Sequence, residues 1–237
     1  MADVLRGAVF VHGAGGGGWE WAIWARVFAA AGIEVAAPDL RPAAAGLVGT
    51  TLADYSAQVS TWVEAVPAPR VLVGASLGGL LAAMNSDQAD ALVLVNPIPP
   101  GGLPPAPARP QVVPWGRTAC LAGTRRALPG ADDAAALFAF RRWRDESGRV
   151  LDQARAGVGM AVPAVPVLLL VSEADRDVPA QASLALAQAW GATAWTVPGG
   201  HVDPLLGRDA PRLAQQTLAW LTSPGRGPGN ADVSNTA

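Results

Sequence analysis

The sequence predicts an α/β protein: a doubly wound parallel sheet of about six strands with helices on both faces. Two observations predict it. The short apolar runs are continuous rather than alternating in polarity, as expected of strands covered on both sides. They also take turns along the chain with longer helical stretches, the order a parallel sheet with crossover helices requires. A chain of 237 residues with 51% hydrophobic content is large enough to bury one sizeable core.

The runs predict strands at residues 8–11, 33–36, 70–73, 91–95, 167–171 and 193–197. Helices are predicted at 19–31, 52–66, directly after Ser76, at 180–190 and at 209–221. Residues 1–96 and 164–222 form the core in this reading. Residues 97–163 are a lid inserted after the fourth strand. It opens on the proline-rich segment Pro97-Ile98-Pro99-Pro100, which continues neither helix nor ladder. A helical patch is expected over 131–146. Residues 223–237, rich in Gly, Pro, Ser and Asn, read as a disordered tail.

Composition excludes several function classes. A net charge of −2 gives no reason to expect nucleic acid or an anionic membrane as partner. All seventeen basic residues are arginine, so lysine has no part in the chemistry. One cysteine, Cys120, allows no internal disulfide and no cysteine metal cluster. No apolar run approaches the ~20 residues of a membrane span, and no signal peptide is visible. A cytoplasmic protein without cofactor or metal is expected, with its oligomeric state undetermined.

Histidine is nearly absent, with two in the whole chain, and both follow predicted strands. His12 lies in Val11-His12-Gly13 and His201 in Gly199-Gly200-His201. Between them Gly74-Ala75-Ser76-Leu77-Gly78 fits the nucleophile-elbow pattern G-x-S-x-G between a strand and a helix. A serine hydroxyl is a poor nucleophile until a nearby base takes its proton, and histidine is the usual base. A glycine-rich turn with an incidental serine has the same composition. The preceding strand and the placement of both histidines beyond strand carboxyl ends, where such sheets bind ligands, favour the elbow.

The stretches His12-Gly13-Ala14-Gly15-Gly16-Gly17-Gly18-Trp19, Ala36-Ala37-Pro38-Asp39-Leu40, Thr51-Leu52-Ala53-Asp54-Tyr55 and Gly74-Ala75-Ser76-Leu77-Gly78-Gly79 resemble the α/β-hydrolase superfamily. The branch resembled contains the plant methylesterases, the hydroxynitrile lyases and their small bacterial relatives. The resemblance implies an α/β-hydrolase fold in a minimal form, without the usual opening hairpin. It implies an oxyanion hole made by the amides of Ala14 and Leu77. It also places an acid between serine and histidine in chain order. The family's spacing to Pro179 selects Asp175, with Asp177 as alternative and Glu173 behind both. His12 and Gly13 shape the oxyanion loop in this reading, and Asp203 is a turn or capping residue. Cyanide chemistry, which needs a lysine in that branch, is not expected.

The expected activity is hydrolysis of a small-molecule ester through an acyl-enzyme. A thioesterase or lactonase on the same residues is the near alternative. A non-hydrolytic isomerase, cyclase or binding protein on the same scaffold is the distant one. Trp19, Trp115, Phe138 and Trp143 are candidates to contact the acyl substrate, whereas Trp21 and Trp24 read as core. The lid carries nine arginines against five acids, which either draws in an anionic substrate or forms a solvated surface.

Overall fold

The structure is a computed structural model describing residues 4–107 and 109–223. The tail expected to be disordered lies outside the described residues from residue 224 onward. Six parallel strands form one sheet: β1 (Gly7–Val11), β2 (Glu34–Ala36), β3 (Arg70–Ala75), β4 (Ala91–Val95), β5 (Val167–Ser172) and β6 (Thr193–Val197). Their order across the sheet is β2-β1-β3-β4-β5-β6. The chain winds outward from β1 to β2, then crosses back to β3 and winds the other way. The switch point falls between β1 and β3.

The strands alternate their side chains between two cores, which is why both phases must be apolar. Phe10, Val73, Val93 and Leu170 enter one cluster with Trp21, Trp24 and Phe28. Val11, Leu72, Leu92 and Leu169 enter the other with Tyr55, Val59 and Leu80. Helices α1 (Ala22–Ala30) and α8 (Ala210–Thr222) cover the first face. The second is covered by α2 (Leu52–Ala65), α3 (Leu77–Met84) and α7 (Ala180–Trp190). Each fully buried aromatic or leucine contributes roughly 2 kcal/mol of burial. The expected helix at 19–31 is a 3-10 turn, Gly18–Trp21, followed by α1. Thr51 opens α2 with a reciprocal capping box to Asp54, satisfying two amides at the helix start.

The insertion contains α4 (Leu121–Ala127), α5 (Asp133–Phe140), α6 (Gly148–Ala156) and a short antiparallel ladder between Val112–Val113 and Glu146–Ser147. The helical patch expected over 131–146 is thus confined to α5. Beyond it, Arg144, Asp145 and Glu146 bond to Gly15, Gly116 and Arg117, and these tertiary partners outcompete a continued helix. Val150 and Ala154 of α6 join the second core, and Leu128 and Ala139 join the first. Among the described residues no helix is long and apolar enough to cross a membrane.

Candidate active site

Strand register brings the two glycine-rich loops together. Val11 pairs with Gly74 across β1 and β3, so the loops after both strands leave the sheet at one level. A Cβ built on Gly13 would lie 3.4 Å from the Cβ of Ser76. Ser76 sits between β3 and α3 with φ 54° and ψ −118°, a conformation costly for a residue with a side chain. Its neighbours must give way. A Cβ on Gly74 would meet Gly78 O at 2.2 Å, and one on Gly78 would meet Val11 O at 2.1 Å. The elbow therefore needs both glycines of G-x-S-x-G.

On the far side of the switch, Ser172 of β5 pairs with Val197 of β6, and the loops beyond them meet. His201 Nδ1 donates to Asp175 Oδ2 at 2.7 Å. Asp175 Oδ1 accepts from the amides of Asp177 and Val178 at 2.8 and 3.0 Å. The Asp175 side chain is thus fixed and 1% exposed, whereas Asp177 is exposed. Burial pulls the His201 pKa down, but the hydrogen bond and charge of Asp175, with Asp177 nearby, outweigh it and raise the value. The ligand atoms of Asp175, Asp177 and His201 all lie within 4.8 Å of one another, although Nδ1 is spent on Asp175.

Buried residues outside the predicted catalytic set hold these loops, among them Asp203, expected as a turn or capping residue. Asn96 follows β4 with φ 45°. It accepts from Ser172 N at 2.8 Å and donates to Ser172 Oγ at 2.9 Å and His201 O at 2.8 Å. Asp203 accepts from Gly200 N and from Gly130 N of the lid, so it anchors the histidine loop, and burial raises its pKa. Val202 N donates to Ala127 O at the end of α4.

The loop after β1 is held from both sides. His12 is buried, donating from Nδ1 to Gly13 O at 2.7 Å and accepting at Nε2 from Leu40 N at 2.8 Å. Burial pushes its pKa down to about 4, so it stays neutral and structural. From the lid, Glu146 accepts from Gly15 N at 3.0 Å, Tyr55 Oη at 2.9 Å and Ser147 N at 2.8 Å. Burial, then the neighbouring Glu146, pushes the Tyr55 phenol up. Arg144 donates to Gly15 O from its amide and to Gly16 O from Nε, and pairs with Asp39 at 3.4 Å. Within the loop, Glu20 accepts from Gly13 N at 3.1 Å. Gly13 and Gly15 amides are therefore occupied. Neither Ala14 N nor Leu77 N donates to an acceptor among the described residues.

The candidate substrate contacts divide. Trp19 packs edge-on against Phe138 and Trp143, with ring centroids 5.7 and 5.2 Å away. Trp143 also donates to Thr124 Oγ1 at 2.9 Å. Trp115 is exposed and lies against the loop after β1, 2.8 Å from where a Cβ on Gly15 would stand. Six of the nine lid arginines are engaged: Arg109 with Asp152, Arg117 with Asp145, Arg125 with Asp133, Arg142 over the Phe138 ring, Arg144 with Asp39 and Arg155 with Pro104 O. Two surface clefts, of about 450 Å³ beside Arg109 and Arg149 and about 520 Å³ beside Met84 and Met160, contain none of the predicted catalytic residues.

A parallel sheet with a strained serine beyond β3 and a bonded acid–histidine pair beyond β5 and β6 defines an α/β-hydrolase scaffold. The alpha/beta hydrolase family model matches residues 8–216, and the chain belongs to that family. Among solved structures, a pyrethroid hydrolase from Sphingobium faniae JZ-2 superposes with a TM-score of 0.71 at 19% identity, covering 93% of this chain and 99% of that one. Polyneuridine aldehyde esterase gives 0.73 at 17% identity over 93% and 100%. The methylesterase MES16 from Arabidopsis gives 0.67 at 15% identity over 92% and 97%. At these identities the likeness is one of fold, and it includes the branch the sequence resembles. No curated protein matches the sequence.

Proposed function

We propose that this chain hydrolyses small-molecule carboxylic esters through an acyl-enzyme on Ser76. His201 Nε2, left free by the Nδ1 bond to Asp175, takes the serine proton. It then passes that proton to the departing alcohol. Asp175 fixes the ring tautomer and stabilises the imidazolium. The developing oxyanion takes the amides of Ala14 and Leu77, each such donor typically supplying ~3 kcal/mol. Leu77 opens α3, where an amide has no intrahelical acceptor and the helix dipole favours negative charge.

The pattern of loop amides carries this reading. Gly13 and Gly15 are bound by carboxyl groups, while Ala14 between them has no protein acceptor among the described residues. Ala14 is only partly buried, so its amide is open to an incoming oxygen while its neighbours' amides are already taken. We assign the acyl or alcohol side chain to the aromatic surface of Trp19, Phe138 and Trp143, with Trp115 at its edge. A fluorophosphonate probe tests the assignment: the wild type takes up one label, on Ser76, and Ser76→Ala takes up none. Folded wild type that remains unlabelled overturns it.

A further inference from the structure

Glu20 binds the loop that carries the proposed oxyanion donor Ala14, yet the mechanism above gives it no step. It belongs to the 3-10 turn Gly18–Trp21 and is 3% exposed. Oε2 accepts from Gly13 N at 3.1 Å, and Oε1 has no hydrogen-bond partner among the described residues. The loop is shaped around this carboxyl group. A Cβ on Gly16 would meet its atoms at 2.3 to 2.6 Å, and one on Gly13 would lie 4.0 Å from Oε2 and 3.4 Å from Ser76 Cβ.

The charged groups around Glu20 come from several elements: His201 from the loop after β6, Arg144 from the lid and Asp39 from the loop after β2. None forms an ion pair with it among the described residues. Arg144 is bound to Gly16 O and Asp39, and Asp203, on the short turn packed against Gly18–Trp21, is taken by Gly130 and Gly200. A buried carboxylate with one hydrogen bond and no paired cation is unfavourable, and such a group holds a proton instead.

Resting on the hydrolase reading, we propose that Glu20 is a positioning residue of the acyl-transfer centre. As a neutral acid it holds the Gly13 amide beside the oxyanion donor Ala14, and its ionisation slows the reaction. Burial pushes the carboxyl up to about 8, which places the transition within reach of experiment. A negative charge on the Gly13 amide's partner opposes the oxyanion forming at the adjacent Ala14 amide, outweighs the support it lends the His201 imidazolium, and slows acylation by about tenfold.

The test is the rate of Ser76 labelling by a fluorophosphonate across neutral and alkaline pH, for wild type, Glu20→Gln and Glu20→Met. The wild type is expected to lose rate above about pH 8. Glu20→Gln keeps most of the neutral-pH rate and lacks that loss, and Glu20→Met also lacks it. The infrared band of a protonated buried carboxyl, present in wild type at neutral pH and missing in Glu20→Gln, reads the proton without any reaction. The same alkaline loss in wild type and in either folded variant overturns the proposal, as does the absence of the band. A wild type unlabelled at every pH fails the hydrolase reading and takes the role of Glu20 with it, while the band still reports the proton.

Discussion

Replacing Glu146 with alanine tests how far the lid is part of the active site. Glu146 is 3% exposed and accepts from Gly15 N, Tyr55 Oη and Ser147 N. Alanine leaves all three donors unpaired, at ~1–3 kcal/mol for each. A water entering the vacated space recovers part of this, so the expected loss is about 4 kcal/mol, large for one substitution. Glu146→Gln keeps an oxygen for Tyr55 and Ser147 but turns an amide NH₂ toward Gly15 N, for a loss of roughly 2 kcal/mol. Urea denaturation followed by tryptophan fluorescence measures both. Because Gly15 adjoins Ala14, esterase kcat should fall about tenfold or more in Glu146→Ala, with a smaller change in KM. If Glu146→Ala unfolds within about 1 kcal/mol of wild type and keeps wild-type kcat, the lid does not brace the oxyanion loop.

Two further outcomes follow from the histidines. Asp175→Asn should lower kcat by about 10³–10⁴-fold. It also removes the partner that raises the His201 pKa, so the acid limb of kcat/KM, where the base gains its proton, moves to lower pH; an unmoved limb contradicts the assignment. His12 titrates at about 4 in the fold against 6.5 free. Its neutral burial therefore stabilises the protein above about pH 6.5, and this contribution is lost as pH falls through about 4. The stability difference between wild type and His12→Gln should shrink by about 3 kcal/mol over that window, measured by denaturation at each pH.

The parts of this protein written as local patterns were legible in the sequence. All six strands lie within two residues of their expected bounds, because continuous Val, Leu and Ala runs between turn signals are what a doubly covered sheet demands. Ser76 was legible from its flanking glycines. His201 was conspicuous because histidine is so scarce. Asp175 needed the resemblance, since nothing local separates it from Asp177; the structure separates them by burial and by the bond to Nδ1. Glu20, Asn96 and Glu146 were missed for one reason. Each is a single polar residue whose partner no periodicity encodes: Gly15 lies 131 positions from Glu146, Ser172 lies 76 from Asn96, and Gly13, only seven from Glu20, is reached through an irregular glycine loop. A signal existed for Glu20: an acid between Trp19 and Trp21, within an apolar stretch, marks a buried polar group. Helix α6 was also readable, from Ser147 as its cap and the spacing of Val150, Leu151 and Ala154, but the surrounding prolines and glycines hid it.

The most direct measurement is intact-mass spectrometry of the protein quenched during turnover of an activated short-chain ester, with peptide mapping of the product. The account predicts one acyl group per chain, carried on Ser76, formed with a burst of alcohol and absent from Ser76→Ala. Turnover that proceeds with no acyl group on Ser76, or equally fast in Ser76→Ala, contradicts it.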